Sequence, residues 1–189
     1  VGGAPVRMGD LTWAFSQAAT MRNLSGGHDD GCNFEDEDRF SHTRRHAHQT
    51  TMYGFLLCFA STSVATVMHY AFDMPAPYPL FSLPKLLGLV GGVLLCLGTL
   101  GLVMLKLNGS RDLADARVWG GEMAFVVLLF VVSASGLVLY AGSNSAWLTE
   151  LLAFHLGAVL AFFLLTPFSK MAHGFYRLAA LTREAQLQR

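Results

Sequence analysis

Four runs of about twenty mainly apolar residues constrain this chain more than any other feature. They extend from Thr51 to Phe72, Leu86 to Leu107, Val118 to Ala141 and Leu148 to Phe168. A helix needs about 20 such residues to cross a hydrocarbon core, and in lipid only a structure that satisfies its own backbone hydrogen bonds is tolerated. The chain is therefore predicted to be all-α, an integral membrane bundle of four transmembrane helices. Hydrophobic residues make up 53% of the sequence and charged residues 14%, and the charges cluster outside the spans, which excludes an ordinary soluble domain. Lys plus Arg and Asp plus Glu balance at 13 each, so no basic surface for nucleic acid is indicated. Between the first two spans Pro75, Pro77, Pro79 and Pro84 prevent a helix from continuing.

The basic residues orient the bundle. Of the 13 Lys and Arg, 12 lie before the first span, between Lys106 and Arg117, or from Lys170 onward; Lys85 alone lies in a loop on the other side. The positive-inside rule then puts both termini and the second-to-third connection in the cytoplasm, and an even number of spans requires the termini to share a side. Residues 1–50 form a cytoplasmic segment, 51–173 the transmembrane domain and 174–189 a basic cytoplasmic tail. In the first of these, Leu11, Ala14, Phe15, Ala18 and Met21 recur at helical spacing. They predict an amphipathic helix that lies along the membrane surface, docks on a partner or packs on the bundle's own loops. A Gly- and acid-rich stretch follows, with His28 and Cys32, and it matches no metal-site spacing. Cys32, Cys58 and Cys96 form neither a CxxC nor a CxxCH motif; no disulfide framework or covalent haem attachment is expected, and the last two read as packing residues. The chain opens at Val1 with no signal-peptide pattern and reads as part of something longer.

Histidines carry the chemistry. An ionisable group within a span is expensive to bury and marks a functional site by default. His155 and His173 are 18 residues apart, about five turns of a continuous helix, so they share one face about 27 Å apart; a kink at Pro167 would change the angle. His69 ends the first span, whose other end carries His42, His46 and His48. At 100° per residue His48 lies about 60° from the face of His69 and His46 about 140°, which favours His48 as the inner residue and keeps His46 as its rival. The first and fourth spans run in opposite directions, so His69 shares a level with His155 and His48 with His173. Two imidazoles facing across a helix bundle are what a six-coordinate b-type haem requires, and two such pairs predict two haems carrying electrons across the membrane. Arg117 and Trp119 are candidates for propionate contacts, or else an anchor and an aromatic belt shared with Tyr53. Glu122 is a candidate proton group beside a quinone, or else offsets a helix N-terminus. Gly88, Gly91, Gly92, Gly98 and Gly101 on the second span predict close helix packing, with room for a porphyrin edge as the lesser alternative. The competing reading is a non-redox transporter or scaffold whose histidines bind metal or protons.

The run RRHAHQTTMYGFLLCFASTSVAT with HYAF, then PAPYPLFSLPKLLG, ADARVWGGEMAF and LTPFSKMAHGFYRLA, closely resembles the membrane part of the tricarballylate-utilisation protein B family, also called the CitB citrate-utilisation family. The resemblance runs from about residue 5 to the end of the sequence. More distantly, the layout is similar to the gamma subunit of respiratory nitrate reductase. The resemblance implies a subunit of the bacterial inner membrane. It would take electrons from a flavin-dependent tricarballylate dehydrogenase and pass them through iron-sulfur clusters and haem to the quinone pool. It also implies a cysteine-rich, cluster-bearing portion ahead of this region, which the three cysteines here cannot replace. Aligned on Arg44–Arg45 and Tyr53–Phe55, the family's inner ligand maps onto His48, in agreement with the spacing that selects His48, His69, His155 and His173 as axial ligands.

Overall fold

The computed structural model describes residues 5–21, 34–35, 39–108 and 116–188. Its helices are α1 (Met8–Thr20), α2 (Thr43–Phe72), α3 (Leu83–Asn108), α4 (Ala116–Ala141), α5 (Leu148–Leu165) and α6 (His173–Leu187). Two-residue strands, β1 (Phe34–Glu35) and β2 (Arg39–Phe40), pair antiparallel. The chain divides into two compact units, His46–Leu164 and Val1–Arg45 with Leu165–Arg189. His28 and Cys32 lie outside the described residues.

The first unit holds the expected bundle. Four helices are long and apolar enough to cross a membrane: Thr43–Phe72, Leu83–Asn108, Trp119–Ala141 and Leu148–Phe168. Their apolar surface is mostly uncovered by protein: Phe59, Leu97, Met104 and Phe163 are each about 60% exposed, an arrangement suited to lipid and unfavourable in water. Polar residues on α2 satisfy themselves locally, with Thr62, Ser63 and Thr66 donating to the carbonyls of Cys58, Phe59 and Thr62. Asp73, at φ 54, stops α2 in the left-handed region, and Met74 N donates back to Met68 O at 3.0 Å. Pro84 then sits in the first turn of α3, where a missing N–H costs nothing.

Small residues weld α2 to α3. A Cβ added at Gly54 would lie 2.4 Å from the Leu95 backbone nitrogen; one at Gly98 would lie 2.5 Å from that of Thr51, and one at Gly91 2.8 Å from that of Cys58. Backbones this close exclude any side chain between them, so Gly91 and Gly98 serve helix packing, as the sequence favoured, and not a porphyrin edge, and Gly54 on α2 does the same. The next face of α3 meets α4, with Gly92 against Leu137 and Cys96 Sγ 3.1 Å from Ser133 Oγ. Phe162 of α5 closes the ring, its centroid 5.7 Å from Phe55 on α2 and 5.8 Å from Phe125 on α4.

The second unit pairs the terminal helices. α1 packs against α6, burying Asp10, Ala14 and Met21 on the one and Leu181 and Ala185 on the other, while Phe15 stays 58% exposed. Arg45 donates from Nη2 to the carbonyl of Thr20 at 2.7 Å, tying the end of α1 to the first turn of α2. The expected single helix from His155 to His173 is not formed. α5 ends at Leu165, and two 3-10 turns, Thr166–Phe168 and Lys170–Ala172, flank Ser169 in extended conformation (φ −105, ψ 171) before α6 begins. Pro167 has no N–H for the carbonyl four residues back and its ring clashes there, while Ser169 Oγ donates to Thr166 O and accepts from Met171 N, stabilising the break. The five-turn phase relation between the two histidines therefore does not hold.

Candidate functional site

His155 sits where α5 meets α4. It is half-buried, with Nδ1 2.9 Å from the Oγ of buried Ser135. Beneath its ring lies Gly136: a Cβ added there would stand 3.1 Å from Cε1, 3.6 Å from Nδ1 and 3.7 Å from Nε2. Three ring atoms at similar distances mean that the imidazole lies over the bare Cα, a cradle that alanine would fill. Neither Ser135 nor Gly136 was anticipated from sequence. The available signal was the polar interruption Ser133-Ala134-Ser135-Gly136 within an otherwise apolar span.

The other histidines differ in their surroundings. His69, in the last turn of α2, is exposed and meets the ring of Tyr70 at 4.7 Å in a T-shaped contact. His48 is half-buried with its Nδ1 shielded from solvent, whereas His46 is exposed. Because α2 is unbroken from Thr43 to Phe72, the helical-phase comparison of these two with His69 applies to a real helix. In the other unit His173 is the exposed first residue of α6, its Nδ1 against the carbonyl of Lys170, and His42 is exposed. Thus α2 carries His48 and His69 on one helix, while the contacts of His69 and His155 are with Tyr70 and with Ser135, not with each other. Among the described residues no three His, Cys, Asp or Glu side chains gather as a metal-ligand cluster.

Two lysines of α3 bracket α4. Lys106 Nζ bonds Glu122 Oε2 at 2.5 Å and lies 5.8 Å from the ring centroid of Trp119; at the other end Lys85 Nζ lies 5.2 Å from that of Tyr140. Glu122, a candidate proton group from sequence, is thus ion-paired, and Trp119 holds a lysine over its face. Arg117 falls in the first turn of α4, its side chain outside the described residues.

The donor chemistry suits an iron-bound macrocycle. Imidazole is the nitrogen ligand that haem iron takes from histidine, and the ring of His155 is engaged through Nδ1 with no side chain on Gly136 to crowd it. The spans on either side of it carry exposed apolar side chains, Leu152 and Leu156 on α5 and Val138 on α4.

Fold and site together define a multi-pass helical membrane protein with histidines in or near its spans. Within that class, the chain belongs to the citrate utilization protein B family, which it matches over residues 1–189. It is similar to a protein of Escherichia coli named citrate utilization protein B, at 46% identity over 179 residues, covering 95% of this chain and 47% of the relative. The chain thus spans about half the length of that relative. No solved structure matches it.

Proposed function

We propose that the chain is the membrane electron-transfer part of a tricarboxylate-oxidising system. In this reading it carries two b-type haems, with His48, His69, His155 and His173 as their ligands. The donor is a flavin-dependent dehydrogenase of tricarballylate or a related tricarboxylate, and the acceptor is the membrane quinone pool. The protein lies in the bacterial inner membrane with both termini cytoplasmic, as its basic residues favour.

The observation that carries the reading is His155: an imidazole within an apolar span, engaged at Nδ1 by Ser135 and lying over a glycine. An isolated charge there would be costly, and a neutral imidazole suits iron. When bound, each haem supplies one-electron chemistry. His48, His69, His155 and His173 would hold the irons through imidazole nitrogens and so keep them for electron transfer, and the bundle's apolar faces would keep water away. The shielding of His48 supports it over His46 as the inner ligand. Arg117 and Trp119 are assigned as supports at the cytoplasmic end, Trp119 through the lysine over its face.

Optical spectroscopy tests this directly. Detergent-purified protein is expected to show a sharp alpha band on dithionite reduction and two protohaems per chain by pyridine haemochrome assay; absence of both would sink the reading. Reduction of those haems by tricarballylate plus the flavoprotein, with citrate inert in its place, identifies the donor.

A further inference from the structure

The hydroxyl of Ser135 has one proton and two neighbours. Its Oγ lies 3.1 Å from the carbonyl oxygen of Val132, which can only accept, and 2.9 Å from His155 Nδ1, which can donate or accept. If the hydroxyl proton goes to Val132, Oγ has only lone pairs left for the imidazole, and Nδ1 must donate. Ser135 sits on the same helix as Val132 one turn back, so this backbone bond is held by α4 itself, whatever α5 does. The consequence falls on the opposite side of the ring. A neutral imidazole with its proton on Nδ1 has a bare lone pair on Nε2.

We infer that Ser135 is a positioning residue that fixes His155 as the Nδ1–H tautomer and so presents Nε2 as the ligand nitrogen, with Gly136 setting the plane of the ring. The inference rests on the haem reading above and goes beyond it, since it assigns the supporting groups of one site. The opposite proton order would leave Nε2 protonated, and coordination would then require a tautomer change. A hydrogen bond from Nδ1–H also makes the ligand more basic, which favours the oxidised metal. Bulk at Gly136 would tilt the ring off its bearing: an added Cβ at 3.1 Å from Cε1 is closer than ordinary contact.

Two measurements on the full chain in nanodiscs test this. In haem-free protein with nitrogen-labelled histidine, the His155 resonances, assigned by difference with His155→Gln, are expected to show a protonated Nδ1 and an unprotonated Nε2. An Nε2–H tautomer overturns the inference, and this needs no Ser135 variant to fold. In haem-loaded protein, Ser135→Ala is expected to raise the midpoint potential of one haem, change the ferric EPR signature of that haem alone and weaken its binding about 10- to 100-fold, with Ser135→Thr restoring all three. Unchanged potentials and EPR signals in Ser135→Ala, with two haems retained, overturn the role of Ser135 and leave the haem reading standing. A parent protein that binds no haem overturns both.

Discussion

At the residue scale, the histidines are distinguished by what surrounds them. His46 and His48 are two positions apart on one helix, yet one is exposed and the other half-buried. His48→Ala is therefore expected to lower haem content from two per chain to one, and His46→Ala to leave it at two, as read by haemochrome assay. His155→Ala should likewise remove one haem and spare the other; loss of neither would refute the pairing. Sequence spacing singled out these histidines as candidates, because an ionisable group in or beside a span stands out in the primary structure. It did not identify Ser135 or Gly136. A serine in an apolar span has an equally good local partner in its own helix, so nothing in the pattern says which serine meets a histidine 20 residues away.

At the scale of elements, helix contact is governed by the absence of side chains. Gly54 and Gly98 let the α2 and α3 backbones meet at distances where a methyl group would overlap backbone atoms of the neighbouring helix. Gly54→Ala and Gly98→Ala are each expected to cost about 1–3 kcal/mol, seen as a lowered Tm in detergent. Gly157→Ala, with nothing within 4 Å of the added Cβ, is expected to leave Tm unchanged or slightly raised. The glycine-studded span was legible as a packing surface, but its partner was not, since GxxxG spacing is a property of one helix and the choice of neighbour belongs to two. The reverse happened at Pro167. The proline was visible, and a kink was expected, but the helix breaks fully because Ser169 caps the next turn and stabilises an extended residue between two 3-10 turns.

At the scale of the whole molecule, α3 and α4 give their own measure of the membrane. Lys85 and Lys106 are 21 residues apart, as are Trp119 and Tyr140, and each lysine caps an aromatic ring on the antiparallel neighbour. At 1.5 Å per residue that is about 31 Å, close to the thickness of a hydrocarbon core. Amphipathic rings with lysines beside them belong at the two interfaces, so these pairs mark where lipid tails end. Single cysteines tested for sidedness should follow: in a background lacking native cysteines, Phe81→Cys, at an 84% exposed position, is expected to react with impermeant maleimide from the periplasmic side and Asn108→Cys only from the cytoplasmic side. Labelling of both from one side would refute the four-span topology.

By itself the sequence determined the number and limits of the spans, the sidedness they favour and the identity of the candidate ligands. Hydropathy and charge are sums over neighbouring residues, so they can be read without the fold. Only the tertiary structure decided that the glycines of α3 face α2, that α5 and α6 are separate helices, and that Ser135 and Gly136 hold the His155 imidazole. Each of these depends on groups brought together across helices or on which of two competing hydrogen bonds is made, and no local pattern of residues encodes that choice.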